Sequence, residues 1–277
     1  MALTAENGSA GVRRLFVVLV LSLLVPACVV VERSTTTSTP PPGDTTGPDG
    51  HAPQADPAPL HPSSDRRLVG SLGWALLSPE VPRAVIEVDR LGGAPLGQQA
   101  VEGLADALRE HGGKRDVEVV EADAPTTDDV YTPEDLLATS REHRDHSSDD
   151  GTVALHVLVL PGRFQAEGVP GVAFHATAMA LFTEEIRRVL PPGASIGAFE
   201  AAVATHELGH AFGLVNRTGV GDFHEDPEHP GHTADEDSVM YWAIESSALG
   251  QLFRTAPPST FTEADRQEMS SIRDQRP

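Results

Sequence analysis

The feature that most constrains this chain is the stretch HELGH, which runs from His206 to His210. An α-helix turns by about 100° per residue, so side chains four positions apart lie on one face, one turn apart. Two imidazoles placed in this way can bind one tetrahedral zinc ion. Glu207 lies beside that face, where a carboxylate can take a proton from a metal-activated water. The stretch therefore predicts a zinc site on a helix, with Glu207 as its general base.

The flanking residues indicate that HELGH belongs to a single apolar helix. Phe199 and Val203 precede the histidines at helical spacing, so the imidazoles continue an apolar stripe. Ser195 is a candidate N-cap, and Gly213 can adopt a positive φ and end the helix in a sharp turn. Burying two imidazoles and a carboxylate on such a stripe is costly without a metal to satisfy them, so we favour a metal site over a hydrogen-bonded core.

A second motif follows the helix. Beyond Gly213 the chain reaches Asn216, and further on it contains the sequence SVMY from Ser238 to Tyr241. Together the two motifs resemble those of the metzincin zinc peptidases, in which a methionine-containing turn lies below the metal. The chain is also similar to bacterial membrane-anchored metzincin-like lipoproteins. This resemblance implies that Met240 packs below the site without touching the ion. It also makes Tyr241 a candidate for assisting catalysis, as a tyrosine after the methionine does in some metzincins.

The resemblance leaves the third zinc ligand open. Metzincins have a histidine or an aspartate at the position of Asn216, and a neutral carboxamide is a poor zinc ligand. The loop at residues 219–237 contains three histidines, at 224, 229 and 232. We expect His224 to complete the site, with His232 as the second choice, while Asn216 fixes the turn through hydrogen bonds. The alternative is that Asn216 itself binds the ion.

The N-terminus predicts a processing signal. Residues 1–27 contain two arginines, a short apolar run and a small residue directly before Cys28, which is typical of a lipoprotein signal peptide. Cys28 is the only cysteine, so no intrachain disulfide can form and no thiolate can bind the zinc. We expect lipid on this cysteine to anchor the chain to a membrane of the bacterial cell envelope, with its domain outside the cytoplasm.

Two further regions follow the signal. Residues 28–66 are rich in Thr, Ser, Pro and Gly and predict a disordered tether. Residues 67–277 are long enough to bury a substantial core and predict one metzincin-like zinc peptidase domain.

Within this domain, strand and helix patterns alternate, which favours an α/β fold. The resemblance implies more specifically an α+β metzincin-like arrangement, in which a twisted mixed sheet carries a zinc-binding active-site helix and a C-terminal helix after the methionine turn. The predicted strands cover residues 83–89, 117–120, 152–160 and one within 171–182, and the predicted helices cover residues 96–111, a segment starting at Thr132, 183–190, the zinc helix and a segment starting at Thr262.

Charge narrows the choice of partners. The formal net charge is −21, from 41 acidic against 20 basic residues. Such a chain is a poor ligand for nucleic acid, because that binding requires cationic groups to release counterions. It is also unsuited to peripheral adhesion to anionic lipid. We expect a monomer whose partners are a peptide or protein substrate and, through its N-terminal lipid, a membrane.

These observations predict a zinc-dependent endopeptidase. The rival hypothesis is a non-catalytic, zinc-stabilised surface lipoprotein that serves as an adhesion or binding module on a peptidase-like fold. Glu207 argues against the rival, because a structural zinc site needs ligands but no general base.

Overall fold

The computed structural model of the protein describes residues 68–126, 128–215, 224–253 and 255–275. The strands in these ranges are β1 (Arg83–Leu91), β2 (Asp116–Ala124), β3 (Val130–Tyr131), β4 (Thr152–Leu160), β5 (Arg163–Phe164), β6 (Gly171–His175), β7 (Ala178–Phe182), β8 (Glu225–Asp226) and β9 (His229–Thr233). The helices are α1 (Gly73–Leu77), α2 (Gln98–Glu110), α3 (Pro133–His143), α4 (Thr183–Val189), α5 (Ile196–Phe212), α6 (Leu249–Leu252) and α7 (Glu263–Arg273), with a 3-10 helix at Trp242–Glu245.

The central element is a five-stranded sheet of order β2-β1-β4-β7-β6, parallel except for β6, which runs antiparallel to β7. Strand β4 is buried from Val153 to Leu160, as expected of a strand that is covered on both faces. One face contributes Leu155 and Val157 to the large core beneath α2 and α5, and the other contributes Leu158 to a smaller core with Leu136 of α3. The predicted α/β class with a mixed sheet is confirmed.

Helix α5 carries the HELGH stretch and begins and ends where its sequence predicts. The Ser195 side chain accepts a hydrogen bond from the N–H of Ala198 at 3.4 Å. Gly213 has a φ of 92°, the left-handed conformation that commonly ends a helix. Helices α3 and α7 also begin as predicted, each with a capping box at Thr132 or Thr262.

Two segments differ from their predictions. Residues 171–182 form the hairpin β6–β7 rather than a single strand, because the turn at Ala176 and Thr177 contains no Gly, Pro, Asn or Asp that would mark it in the sequence. The predicted loop at 219–237 contains the short strands β8 and β9, which pair with each other. No helix within the described ranges has both the length and the apolar character to cross a bilayer.

A buried polar network on the sheet links α3 to β1 and β4. His156 lies between Ser140, whose Oγ is 2.8 Å from its Nδ1, and Asp89, whose Oδ2 is 2.7 Å from its Nε2. Glu87 accepts hydrogen bonds from the backbone N–H groups of Asp145 and His146. The donor atoms of Glu87, Asp89 and His156 lie within 4.8 Å of one another. Because protein groups already satisfy these side chains, the network is a structural link.

Candidate metal centre

His206 and His210 project from one face of α5 into the protein. Their side chains are 0% and 2% exposed, and their Nε2 atoms are 3.2 Å apart. Two nitrogens bound to one tetrahedral zinc at about 2.0–2.1 Å would be separated by about 3.3 Å. The observed distance therefore matches a pair of ligands of one ion.

A backbone carbonyl sets the orientation of the first ring. His206 Nδ1 lies 2.6 Å from the carbonyl oxygen of Val239. Since a carbonyl oxygen can only accept, Nδ1 must donate its proton, and in the neutral ring Nε2 then keeps a lone pair. A hydrogen bond of this kind is typical of metal-bound histidines, because it fixes both the tautomer and the ring plane.

A third imidazole comes from strand β9. The ring of His232 stacks on that of His206 with centroids 5.2 Å apart and meets the ring of His210 edge-on at 5.1 Å. Its Nε2 is 2.7 Å from Glu245 Oε2. The structure thus brings the second-choice loop histidine to the HELGH pair.

Glu245, at the end of the 3-10 helix, completes this group and was missed by the sequence analysis. Its Oε2 lies 3.8 Å and 3.7 Å from Nε2 of His206 and of His210. Burial opposes ionisation, but the interactions with His206, His210 and His232 outweigh it and hold the pKa of this carboxyl well below its usual range. Donor atoms of the four residues all lie within 4.8 Å of one another. We call these four residues the metal group.

Met240 packs against helix α5 at Gly209. It is fully buried, and a methyl group added at Gly209 would overlap its Sδ atom. A hydrogen bond of 2.9 Å from its N–H to Ser238 Oγ shapes the turn. Tyr241, 7% exposed, packs edge-on against Phe253, and burial raises its pKa.

Glu207 lies between α5 and the edge strand β6. Its side chain is fully buried, and it occupies the space beside Gly171. A Cβ atom at Gly171 would lie 2.8 Å from Glu207 Oε1 and 2.7 Å from Val203 Cγ1. The absence of a side chain at residue 171 therefore makes room for the candidate base.

The remaining site candidates lie elsewhere. His224, the expected first choice for third ligand, is not in the metal group, because its Nε2 contacts Asp265 Oδ1 at 2.9 Å. His229 contacts Asp226 and stacks on Trp242 with ring centroids 4.2 Å apart. Asn216 and Cys28 lie outside the described residues.

Comparison with known proteins gives a distant similarity. No family model matches the chain. No curated protein matches it either. Among solved structures, archaemetzincin from Methanopyrus kandleri is similar at 18% identity and a TM-score of 0.47, over 70% of this chain and 97% of that one. Archaemetzincin from Archaeoglobus fulgidus, in complex with malonate, is similar at 17% identity and a TM-score of 0.40, over 68% of this chain and 99% of that one. The functional interpretation therefore rests on the site geometry.

Proposed function

We propose that the protein is a zinc-dependent endopeptidase in which His206, His210 and His232 bind the ion and Glu207 is the general base. The observation that carries this proposal is the pair of α5 imidazoles with Nε2 atoms 3.2 Å apart, joined by His232 and flanked in sequence by Glu207.

The donor set of the metal group suits zinc. Imidazole nitrogens and a carboxylate oxygen are common zinc ligands, and this group is nearly enclosed in protein. The hydrogen bond from His206 to the Val239 carbonyl supplies the outer support that such ligands usually have.

A zinc ion bound here would lower the pKa of a coordinated water and polarise a peptide carbonyl. Glu207 then takes the proton of the attacking water and returns it to the leaving amine. Strand β6 is an edge of the described sheet and passes Glu207 at Gly171. An extended peptide that paired with this edge would present its backbone next to the base, so we expect substrates to bind as an added strand.

The position of Glu245 within the metal group favours the rival function, a non-catalytic zinc-stabilised binding module. Four protein ligands would close the coordination sphere, as in structural zinc sites, whereas a hydrolytic zinc keeps one position for water. In our proposal Glu245 orients His232 and leaves that position open. In the rival it is the fourth ligand of a non-catalytic binding module.

Hydrolysis of a fluorogenic peptide library by the full-length protein, with and without chelator, separates the two functions. We expect chelator-sensitive hydrolysis that Glu207→Ala abolishes while one zinc stays bound, because Glu207 moves protons and does not bind the metal. Glu200→Gln is the matched control, since Glu200 is a buried acid of the same helix that contacts Gly97 instead of the metal group. No hydrolysis by the wild type, together with loss of zinc in Glu245→Gln, would establish the structural site.

We further propose that the enzyme acts from a membrane surface of the bacterial envelope as a lipid-anchored monomer. This proposal is supported by the position of Cys28 after an apolar run and by the tether at residues 28–66. The acidic composition agrees with it, because anionic lipid would repel the domain and leave the acyl chain as the attachment.

A further inference from the structure

Helix α7 carries two buried acids, Asp265 and Glu268, which are 0% and 1% exposed. They are three residues apart and therefore lie on one face of the helix. Neither belongs to the metal group. A buried carboxylate is costly unless hydrogen bonds compensate its charge. The hydrogen-bond partners of these two residues therefore identify the segments that this face of α7 fixes in place.

Glu268 holds the chain just after helix α5. Its Oε2 accepts a hydrogen bond of 2.8 Å from the backbone N–H of Val215. Val215 has a φ of 55°, which is strained for a β-branched residue and persists only where surrounding groups impose it. Glu268 thus fixes the direction in which the chain leaves α5, five residues after His210.

Asp265 holds the methionine turn. It accepts a hydrogen bond of 2.8 Å from Ser238 Oγ, besides the contact with His224 Nε2 at 2.9 Å. Ser238 in turn accepts the N–H of Met240, and the intervening Val239 carbonyl accepts from His206 Nδ1. A continuous path of hydrogen bonds and backbone therefore runs from Asp265 to a ring of the metal group.

We propose that Asp265 and Glu268 are positioning residues of the metal centre. They act through the methionine turn and the exit of α5, and they keep the imidazoles of the metal group at the separation that one ion requires. This inference rests on the proposed metal site, and it adds α7 as the outer support of that site.

The test is titration of the full-length protein with Co²⁺, whose visible absorption reports the number and geometry of its ligands. Glu268→Met removes the acceptor while keeping the length of the side chain, and we expect it to weaken Co²⁺ binding about 10–100-fold, as loss of an outer-shell partner does, and to alter the spectrum. Glu268→Gln keeps an oxygen that can accept from Val215, so it should recover most of the affinity and the wild-type spectrum.

Ile272→Ala is the matched control. Ile272 is a buried apolar residue of the same helix that packs beside Gly73 of α1 and can make no hydrogen bond to Val215 or to the methionine turn. It should lower the melting temperature without changing the spectrum. If Glu268→Met only lowers the melting temperature, as this control does, the positioning role is wrong. A wild-type protein that binds no Co²⁺ would instead overturn the proposed metal site itself.

Discussion

Replacing Gly209 by alanine tests how tightly helix α5 packs on the methionine turn. A Cβ atom at this position would overlap Met240 Sδ and would lie 3.1 Å from Phe261 Cε1. Alanine in a helix interior gains about 1 kcal/mol over glycine. Overpacking of a closed core costs about 1–3 kcal/mol. The clash involves two side chains that are at most 4% exposed, so we place the overpacking cost in the upper part of its range, at about 2–3 kcal/mol. The net loss is then about 1–2 kcal/mol, or roughly 2–8 °C in melting temperature for a domain of this size.

Gly103 provides the control, since it lies inside α2 and a Cβ atom there would meet only Thr205 Oγ1, at 3.8 Å. Urea denaturation should show Gly103→Ala to be stabilising by about 0.4–1 kcal/mol. Combining Gly209→Ala with Met240→Ala should cost less than the sum of the two single changes, because the smaller residue makes room for the added methyl group. The reasoning is refuted if Gly209→Ala stabilises the protein as much as Gly103→Ala does.

Three further predictions concern the site and the anchor. His232→Ala should reduce bound zinc to well below one equivalent while Asn216→Ala retains it, as measured by elemental analysis after dialysis; the reverse result would assign the third ligand to Asn216. Gly171→Ala should displace the Glu207 carboxylate and lower kcat at least 10-fold with zinc content unchanged, and full activity would show that β6 does not confine the base. Cys28→Ser should abolish diacylglyceryl modification in mass spectra of the membrane fraction, whereas an unmodified, secreted wild-type protein would contradict the anchor.

Helix α5 was predictable because the residues that define its start, its buried face and its end are close together in the sequence. Its N-cap, its apolar stripe and Gly213 all lie within the helix or next to it, and the structure has each in its predicted role. Strand β4 was equally predictable, since an apolar run of nine residues predicts a strand covered on both faces.

Completion of the metal group was harder to predict, because it depends on contacts distant in sequence. His224 and His232 lie in the same polar loop, and the choice between them follows from the β8–β9 pairing, which only the folded chain shows. Glu245 had a faint signal as an acid among apolar residues shortly after Met240. A sequence pattern cannot show that this carboxylate turns inward, because a single charged residue at the end of a short helix is usually solvated.

The metal group draws its residues from three elements, α5, β9 and the 3-10 helix, so one ion would cross-link segments that are remote along the chain. A ligand that binds only the folded form adds free energy in proportion to the logarithm of its concentration, about 1.4 kcal/mol for each tenfold rise above Kd. Zinc supply in the surroundings would then govern two properties at once. A protein deprived of the ion would lose the proposed activity and its resistance to degradation together, so that its lifetime would depend on the availability of the metal.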